Sequence, residues 1–419
     1  GVQMTDLLNS FLRNRWVRKI ASPSRFTLFV VALLIIVSTV RRITGAADIT
    51  SAGLSGATLR FTIPLLMAGL GGLWAERSGV INIGLEGMMI AGTWLGAWFA
   101  FIYGPWVGFL AAAIGGAVIG LFHGILVVRI GIDQAVSGLA INILALGAAR
   151  YLSGILFPSR GGDISLSPVV EQTPTLTVPG ISPLLGSIAD KNIFLLSDGA
   201  GILSGFVTEI SYATILLLLA VPLSTWILWK TKFGLRLSFC GENPVAAESL
   251  GVKVYRMRYM ALAISGMFAS VGGAYLSLVA SQVYREGQTG GRGFIGLATV
   301  IFGNWRPSGV LAGSVLFGVT DALRIRQPTS IHAALLVVII AGSIYVIWAF
   351  ATGRMKHGVR ALMATSFIGL IYLTVPEIPR EFVSFFPNLA TILVLVLLAQ
   401  RLKPPAMLAV PYREREETE

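Results

Sequence analysis

Few residues in this chain have side chains that could do chemistry, and most of them sit in one stretch. Glu76-Arg77-Ser78-Gly79-Val80-Ile81-Asn82-Ile83-Gly84-Leu85-Glu86-Gly87 places polar and flexible residues between two long apolar runs. An ionised carboxylate in hydrocarbon costs about 2.5 to 3.5 kcal/mol on insertion scales, so Glu86 needs an arginine, a helix N-terminus or a solute as its partner. Asn82 can both donate and accept without carrying charge, which suits a polar route through lipid. Asn142, within Leu139-Ala140-Ile141-Asn142-Ile143-Leu144, either ties two helices together or lines the same route. Asp133, Gln134 and Asp321 fall near the ends of apolar runs, where caps and solvated faces are expected, and His123 reads as an interfacial side chain. With three histidines, no HExxH and one cysteine, Cys240, a metal centre and an internal disulfide have no support. The lone thiol reads as inert. No G-x-x-x-x-G-K-[ST] pattern occurs, so the chain holds no P-loop of its own and any driving energy comes from a partner or a gradient. A membrane-embedded enzyme would need a constellation of carboxylates or histidines facing a cavity, and none is convincing.

A second informative stretch is polar and basic. Gly234-Leu235-Arg236 leads into Gly241-Glu242-Asn243-Pro244-Val245-Ala246-Ala247-Glu248-Ser249-Leu250-Gly251-Val252. Asn243 before Pro244 reads as a helix start, and Gly251 as its stop. Two turns are too short to hold alone in water. They are expected to expose Ala246, Ala247 and Leu250, either to a groove on another protein or to the membrane surface.

The elements around these stretches follow from composition. Of 419 residues, 55% are hydrophobic and only 12% charged, against roughly 25% charged in soluble domains. Apolar runs long enough to cross a bilayer recur at 26–40, 58–74, 80–102, 106–128, 132–157, 211–229, 259–280, 308–325 and 331–350. Further runs at 293–305, 361–375 and 386–400 are shorter, and the first two read as possible half-helices. The expected fold is an all-α polytopic transmembrane bundle of about 10–12 spans, broken or half-helices included. Ala112, Gly116, Gly120 and Gly124 align small side chains on one helix face, a packing seam. The N-terminus shows no cleavage pattern after Arg13, Arg15, Arg18 and Lys19, so the first span is expected to stay as an anchor.

The net charge of +12 is what basic cytoplasmic loops produce, and it gives nucleic acid little support. Lys230, Lys232, Arg236, Lys253, Arg256 and Arg258 set the loop 230–258 on the cytoplasmic side. Counting outward from it puts both termini there too, and sends the proline-broken segment 158–210 outside. Arg41 and Arg42 are exceptions, and Arg324 and Arg326 also sit awkwardly. The expected organisation is a cytoplasmic segment 1–25, core helices over 26–325, an added hairpin over 326–385, a last span at 386–402 and a cytoplasmic tail 403–419. The segment 158–210 reads equally as a disordered insertion or as a landing surface for a solute-delivering protein.

The run Gly-Glu-Asn-Pro-x-Ala-Ala-x-x-x-Gly at 241–251 resembles the ATPase-docking helix of bacterial ABC importer permeases, the superfamily of branched-chain amino acid and ribose systems. Glu76 to Met89, Gly291 to Pro307 and Arg401 to Tyr412 extend the resemblance, most closely to nucleoside importer permeases. The resemblance implies a non-enzymatic importer subunit of the bacterial cytoplasmic membrane, working by alternating access. Its partners would be a second permease, identical or homologous, an ATP-binding subunit that carries ATP and Mg, an extracellular solute-binding lipoprotein and membrane lipids. No cofactor is implied in this chain. By position, Glu242, Asn243, Pro244, Ala246, Ala247, Leu250 and Gly251 would meet the ATPase, and Asn82, Glu86, Asn142, Gly291 and Phe294 would flank the pathway. Ribose or another sugar, or a branched-chain amino acid, stands as an alternative solute. A gradient-driven transporter or channel without an ATPase stands as an alternative of another class. The length of 158–210 and the extra residues at 327–385 depart from the usual pattern.

Overall fold

In lipid a backbone must satisfy its own hydrogen bonds, which leaves helices as the economical answer for apolar runs like these. The computed structural model describes residues 25–326, 328–375 and 402–413. Most of the basic N-terminal segment, residues 376–401 with the expected last span, and 414–419 lie outside them. In chain order the helices are α1 (Arg25–Thr44), α2 (Ala52–Arg77), α3 (Leu85–Tyr103), α4 (Pro105–Gly124), α5 (Gln134–Leu156), α6 (Ile181–Ala189), α7 (Leu196–Ser204), α8 (Tyr212–Leu218) and α9 (Ala220–Lys230). There follow α10 (Lys232–Glu242), α11 (Pro244–Ser249), α12 (Val254–Tyr275), α13 (Arg292–Phe302), α14 (Pro307–Arg324), α15 (Pro328–Ala351) and α16 (Met355–Thr374). A two-stranded antiparallel sheet pairs β1 (Thr175–Leu176) with β2 (Ile210–Ser211).

Among the described residues, eight helical segments are long and apolar enough to cross a membrane, and α13 is about half that length. The run expected to be short at 361–375 is instead part of α16, a helix of 20 residues, because Met355 to Arg360 continue it outward.

The chain divides into two compact units. Among the described residues the first gathers 25–52, 183–204, 326 and 328–375, so α1 sorts with α15 and α16 rather than with the other core helices. Its cause is packing: Val40, Ala46 and Ile49 meet Ala333, with Leu336, Val337 and Ile340 around them. Three of the four awkwardly placed arginines, Arg41, Arg42 and Arg326, find partners in this unit. Arg41 pairs with the fully buried Asp198 of α7, Arg42 donates to the Asn192 carbonyl, and Arg326 lies 3.7 Å from Asp48. Each cation is held by a local partner. Burial alone would push the Asp198 carboxyl up, but the Arg41 hydrogen bond and charge outweigh it and hold it below the usual 3.8.

The second unit holds 53–182, 205–325 and the tail. The small-residue face of α4 is a helix seam. A Cβ on Gly116 would come within 2.3 Å of the Gly266 carbonyl, and one on Gly120 within 2.1 Å of the Leu262 carbonyl, so α4 and α12 lie backbone to backbone. His123, expected as an interfacial side chain, is fully buried, with Nδ1 at 2.8 Å from Ser137 Oγ of α5. Outside the spans, the segment after α5 is ordered. Ser167 and Val170 pair with Tyr284 and Gln282, and β1 pairs with β2. A disordered insertion is therefore overturned, and Pro183 lies inside α6, near its start, rather than breaking it.

Candidate functional site

Helix α2 ends in a turn that Gly79 makes possible. Its φ of +91° is open to glycine, and the bonds Gly79 N to Glu76 O and Val80 N to Ala75 O close the end. Residues 78–84 then run as irregular backbone before α3 begins at Leu85. Such backbone survives at membrane depth only if the protein supplies partners; here two neighbours do, and a third holds the Asn82 side chain. Ile81 N donates to Gln134 Oε1 (2.8 Å), Asn82 Nδ2 to Ser265 Oγ (2.9 Å), and Asn142 Nδ2 to the Ile83 carbonyl (3.1 Å). Asn142 also accepts from Gly87 N at 2.7 Å, so one amide ties α5 to the break and to the first turn of α3. Asp133 caps α5, accepting from Ala135 N and Val136 N.

Glu86 closes the other side. It is buried, and its Oε1 accepts from Thr289 Oγ1 at 2.6 Å and Gly291 N at 2.9 Å, while Oε2 accepts from Gly293 N at 2.7 Å. These donors form the N-terminus of α13, whose positive end attracts a carboxylate. A Cβ on Gly293 would lie 2.4 Å from Glu86 N, so the approach requires glycine there. The far end of α13 returns to α2: Trp305 Nε1 donates to Glu76 Oε2 at 2.5 Å, and Arg77 donates to the Trp305 carbonyl at 2.8 Å. Thus a broken helix and a half-helix are locked at both ends. Asp321, expected on a solvated face, is buried and pairs with Arg292 at 2.7 Å. Phe294 stands on the outer side of α13 and is 43% exposed.

The loop residues form a separate surface. Asn243 Oδ1 accepts from Ala246 N at 3.0 Å, Pro244 occupies the first turn, and Gly251 at φ +76° ends α11. The exposure differs from expectation. Ala247 is fully buried with Cys240 and Val254, and Pro244 is buried beside it, because positions three apart share the inner face. The outward residues are Glu242, Asn243, Val245 (48% exposed), Ser249 and Leu250 (74%), with Ala246 half-buried. Burial pushes the Cys240 thiol up to about 11, so it is unreactive at neutral pH.

Asn82, Glu86, Asn142 and Gly291 therefore converge on one break, and Phe294 lies one step along the half-helix. Thr289, Gln134, Ser265 and the Glu76–Trp305 pair carry as much of that arrangement; Thr289 and Ser265 escape the sequence reading, Gln134 is expected there at a cap or a solvated face, and Glu76 and Trp305 are not singled out within their stretches. The Gly287-Gln288-Thr289-Gly290-Gly291 run was the available signal, since such glycine density marks irregular backbone.

The sequence of this chain is similar to those of known proteins. A family model described as the permease component of the branched-chain amino acid transport system matches residues 55–348, and so extends into α15 past residue 325. The chain is 36% identical to a guanosine ABC transporter permease protein, NupQ of Bacillus subtilis, over 64% of this chain and 81% of that one. It is 33% identical to a nucleoside ABC transporter permease protein, NupC of Lactococcus lactis, over 64% and 80%. It is likewise 36% identical to a putative glucose ABC transporter permease protein, TsgC13 of Haloferax volcanii, over 66% and 78%. No solved structure matches. With most of its membrane helices inside the matched region, this multi-pass chain belongs to the branched-chain amino acid transport permease family.

Proposed function

We propose that the chain imports an uncharged solute, a nucleoside, as one permease of an ABC importer, and that ATP bound with Mg on a separate subunit drives it. One observation carries the choice of solute. Half-helix N-termini in transporters commonly present their positive end to an anionic group of the substrate. Here Glu86 occupies the donors of Gly291 and Gly293, and Arg292 is spent on Asp321. The break therefore offers no free cationic end for an amino acid carboxylate or a phosphate, whereas a neutral, hydroxylated molecule needs none. The relatives named for guanosine and nucleosides agree with that class. Glucose is a second reading, favoured by the equal identity to the relative named for it.

In this reading α11 meets the ATP-binding subunit through Val245, Ala246, Ser249 and Leu250. The ordered segment 158–210 receives the solute-binding lipoprotein outside, both termini are cytoplasmic, and a second permease completes the pathway beside α13. Of the added hairpin, α15 lies mostly inside the matched region and α16 beyond it. The test is uptake of labelled guanosine, glucose and leucine into liposomes holding the complete complex, with and without ATP. ATP-dependent guanosine uptake supports the proposal. Leucine uptake exceeding that of both neutral solutes overturns the solute argument, and uptake indifferent to ATP overturns the importer.

A further inference from the structure

The tail crosses the cytoplasmic end of the second unit and touches each element that a moving α11 would have to move. Lys403 N donates to Asn304 Oδ1 at 2.8 Å, in the turn between α13 and α14. Ala406 N donates to Glu242 Oε2 at 3.1 Å, and Met407 N to the Gly241 carbonyl at 2.9 Å, at the end of α10. Ala409 N donates to the Gly79 carbonyl at 3.0 Å, on the helix break itself. Tyr412 Oη then donates to Glu248 Oε2 of α11 at 2.6 Å. The Tyr412 ring meets Tyr255 edge-on at 6.2 Å, with the Arg258 guanidinium 5.5 Å from its centre. Leu402 and Leu408 pack onto the main core.

Geometry below the strap explains why it is placed there. A Cβ on Gly241 would lie 2.5 Å from the Arg77 carbonyl and 3.0 Å from Gly79 N, so the end of α10 rests directly on the end of α2. Contact of that kind pushes but does not pull. Hydrogen bonds from one continuous segment to α11, α10, the break and the α13–α14 turn hold in both directions.

We propose that residues 402–413 are a coupling strap, with Tyr412 and Asn304 as its anchoring side chains, that makes α11, the 78–84 break and α13 move as one body. Tyr412 is a positioning residue: it acts on the solute only through Glu248 and the helices behind it. The proposal rests on the ABC importer reading. Under it, cutting an anchor leaves the ATP-binding subunit docked and hydrolysing ATP while the pathway follows less completely.

The experiment measures solute taken up per ATP hydrolysed by the reconstituted complete complex. Tyr412→Phe removes only the hydroxyl, Tyr412→Ala the whole anchor, and Asn304→Gly the other anchor while keeping the backbone at φ +48° comfortable. The Phe and Gly variants keep the test open should the Ala variant fail to fold. The expected result is unchanged co-purification with the ATP-binding subunit and a fall in uptake per ATP of about tenfold for Ala and less for Phe. Bridging Glu248→Cys with Tyr412→Cys by a short bis-maleimide restores the ratio, since it replaces one link by another. Variants that assemble and keep the wild-type ratio overturn the strap, as does a parallel loss of uptake and hydrolysis, which marks a merely structural role. A bridge that fails to restore the ratio also overturns it. Wild-type complex without ATP-dependent uptake removes the underlying reading instead, and is seen before any variant is made.

Discussion

Glu86→Gln and Glu86→Ala separate the clamp from direct solute contact. In the wild type three donors end on one buried carboxylate. A glutamine keeps an oxygen for Thr289 and Gly291 but turns an amide donor against Gly293 N–H. The loss is one hydrogen bond to a charged group, about 1.5 to 3 kcal/mol, plus the attraction of a carboxylate to the helix end, up to about 2 kcal/mol when partly buried. Together these give about 1.5 to 5 kcal/mol, less if the side chain rotates to share its oxygen. Alanine leaves all three donors without a partner, at about 1 to 3 kcal/mol each before any water enters. Thermal unfolding of the detergent-purified chain should rank wild type above Gln above Ala. In liposomes the Gln variant should also become sensitive to competition by a nucleoside monophosphate, since Gly293 N–H is now free for an anion. A Gln variant as stable as wild type, or one indifferent to the anion, would refute the argument that Glu86 neutralises the half-helix.

On α11, Val245→Asp with Leu250→Asp should abolish co-purification of the ATP-binding subunit while the chain stays folded, whereas Ala247→Trp should lower yield and thermal stability, because Ala247 is fully buried; equal behaviour of the two would contradict the assigned faces. Gly116→Leu forces α4 from α12, since its Cβ alone would lie 2.3 Å from the Gly266 carbonyl, and overpacking of this kind costs about 1 to 3 kcal/mol or more. Its readout is loss of folded monomer on size-exclusion chromatography. The Asp198 carboxyl is held below its ordinary value, so its contribution to stability is complete above about pH 4 and lost as pH falls through the lowered value. Accordingly Asp198→Asn should destabilise at pH 7 and converge with wild type in acid, once the carboxyl is protonated in the folded protein too, read by limited proteolysis of the segment 158–210.

How much was visible beforehand follows from the range of each signal. The start and stop of α11 are set by neighbours within four residues, Asn243 with Ala246 and Gly251 with Glu248, and these were legible. So was the seam on α4, which needs only periodicity. The inner face of α11 was not, because a helix of six residues offers a single inward pair, Pro244 and Ala247, too few to reveal a period. The Glu86 partners lie more than 200 residues away in sequence. Composition could say that the carboxylate required a partner without saying that Thr289, Gly291 and Gly293 supply it. Arg41 looked anomalous for the same reason, its partner Asp198 being 157 residues distant.

The polar side chains buried in the second unit share one use. Asn82 serves Ser265, Asn142 serves the backbone at Ile83 and Gly87, Glu86 serves the start of α13, and Glu76 serves Trp305 at its end. Asn142 and Glu86 satisfy irregular backbone or a helix end that lipid cannot, Asn82 and Glu76 bond side chains of neighbouring elements, and none of the four is left as a free charge aimed at a solute. A route through a bilayer needs helices that can break, and broken backbone needs partners. That requirement accounts for the polar residues of this region without assigning them to recognition. It follows that strong solute selectivity has to be exercised before the solute reaches these helices. Exchanging the external binding protein should therefore change the imported solute, among neutral molecules, more than any single substitution at Asn82, Asn142 or Phe294. Uptake selectivity of complexes reconstituted with exchanged binding proteins would decide it, and selectivity that stays with the permease would contradict the argument.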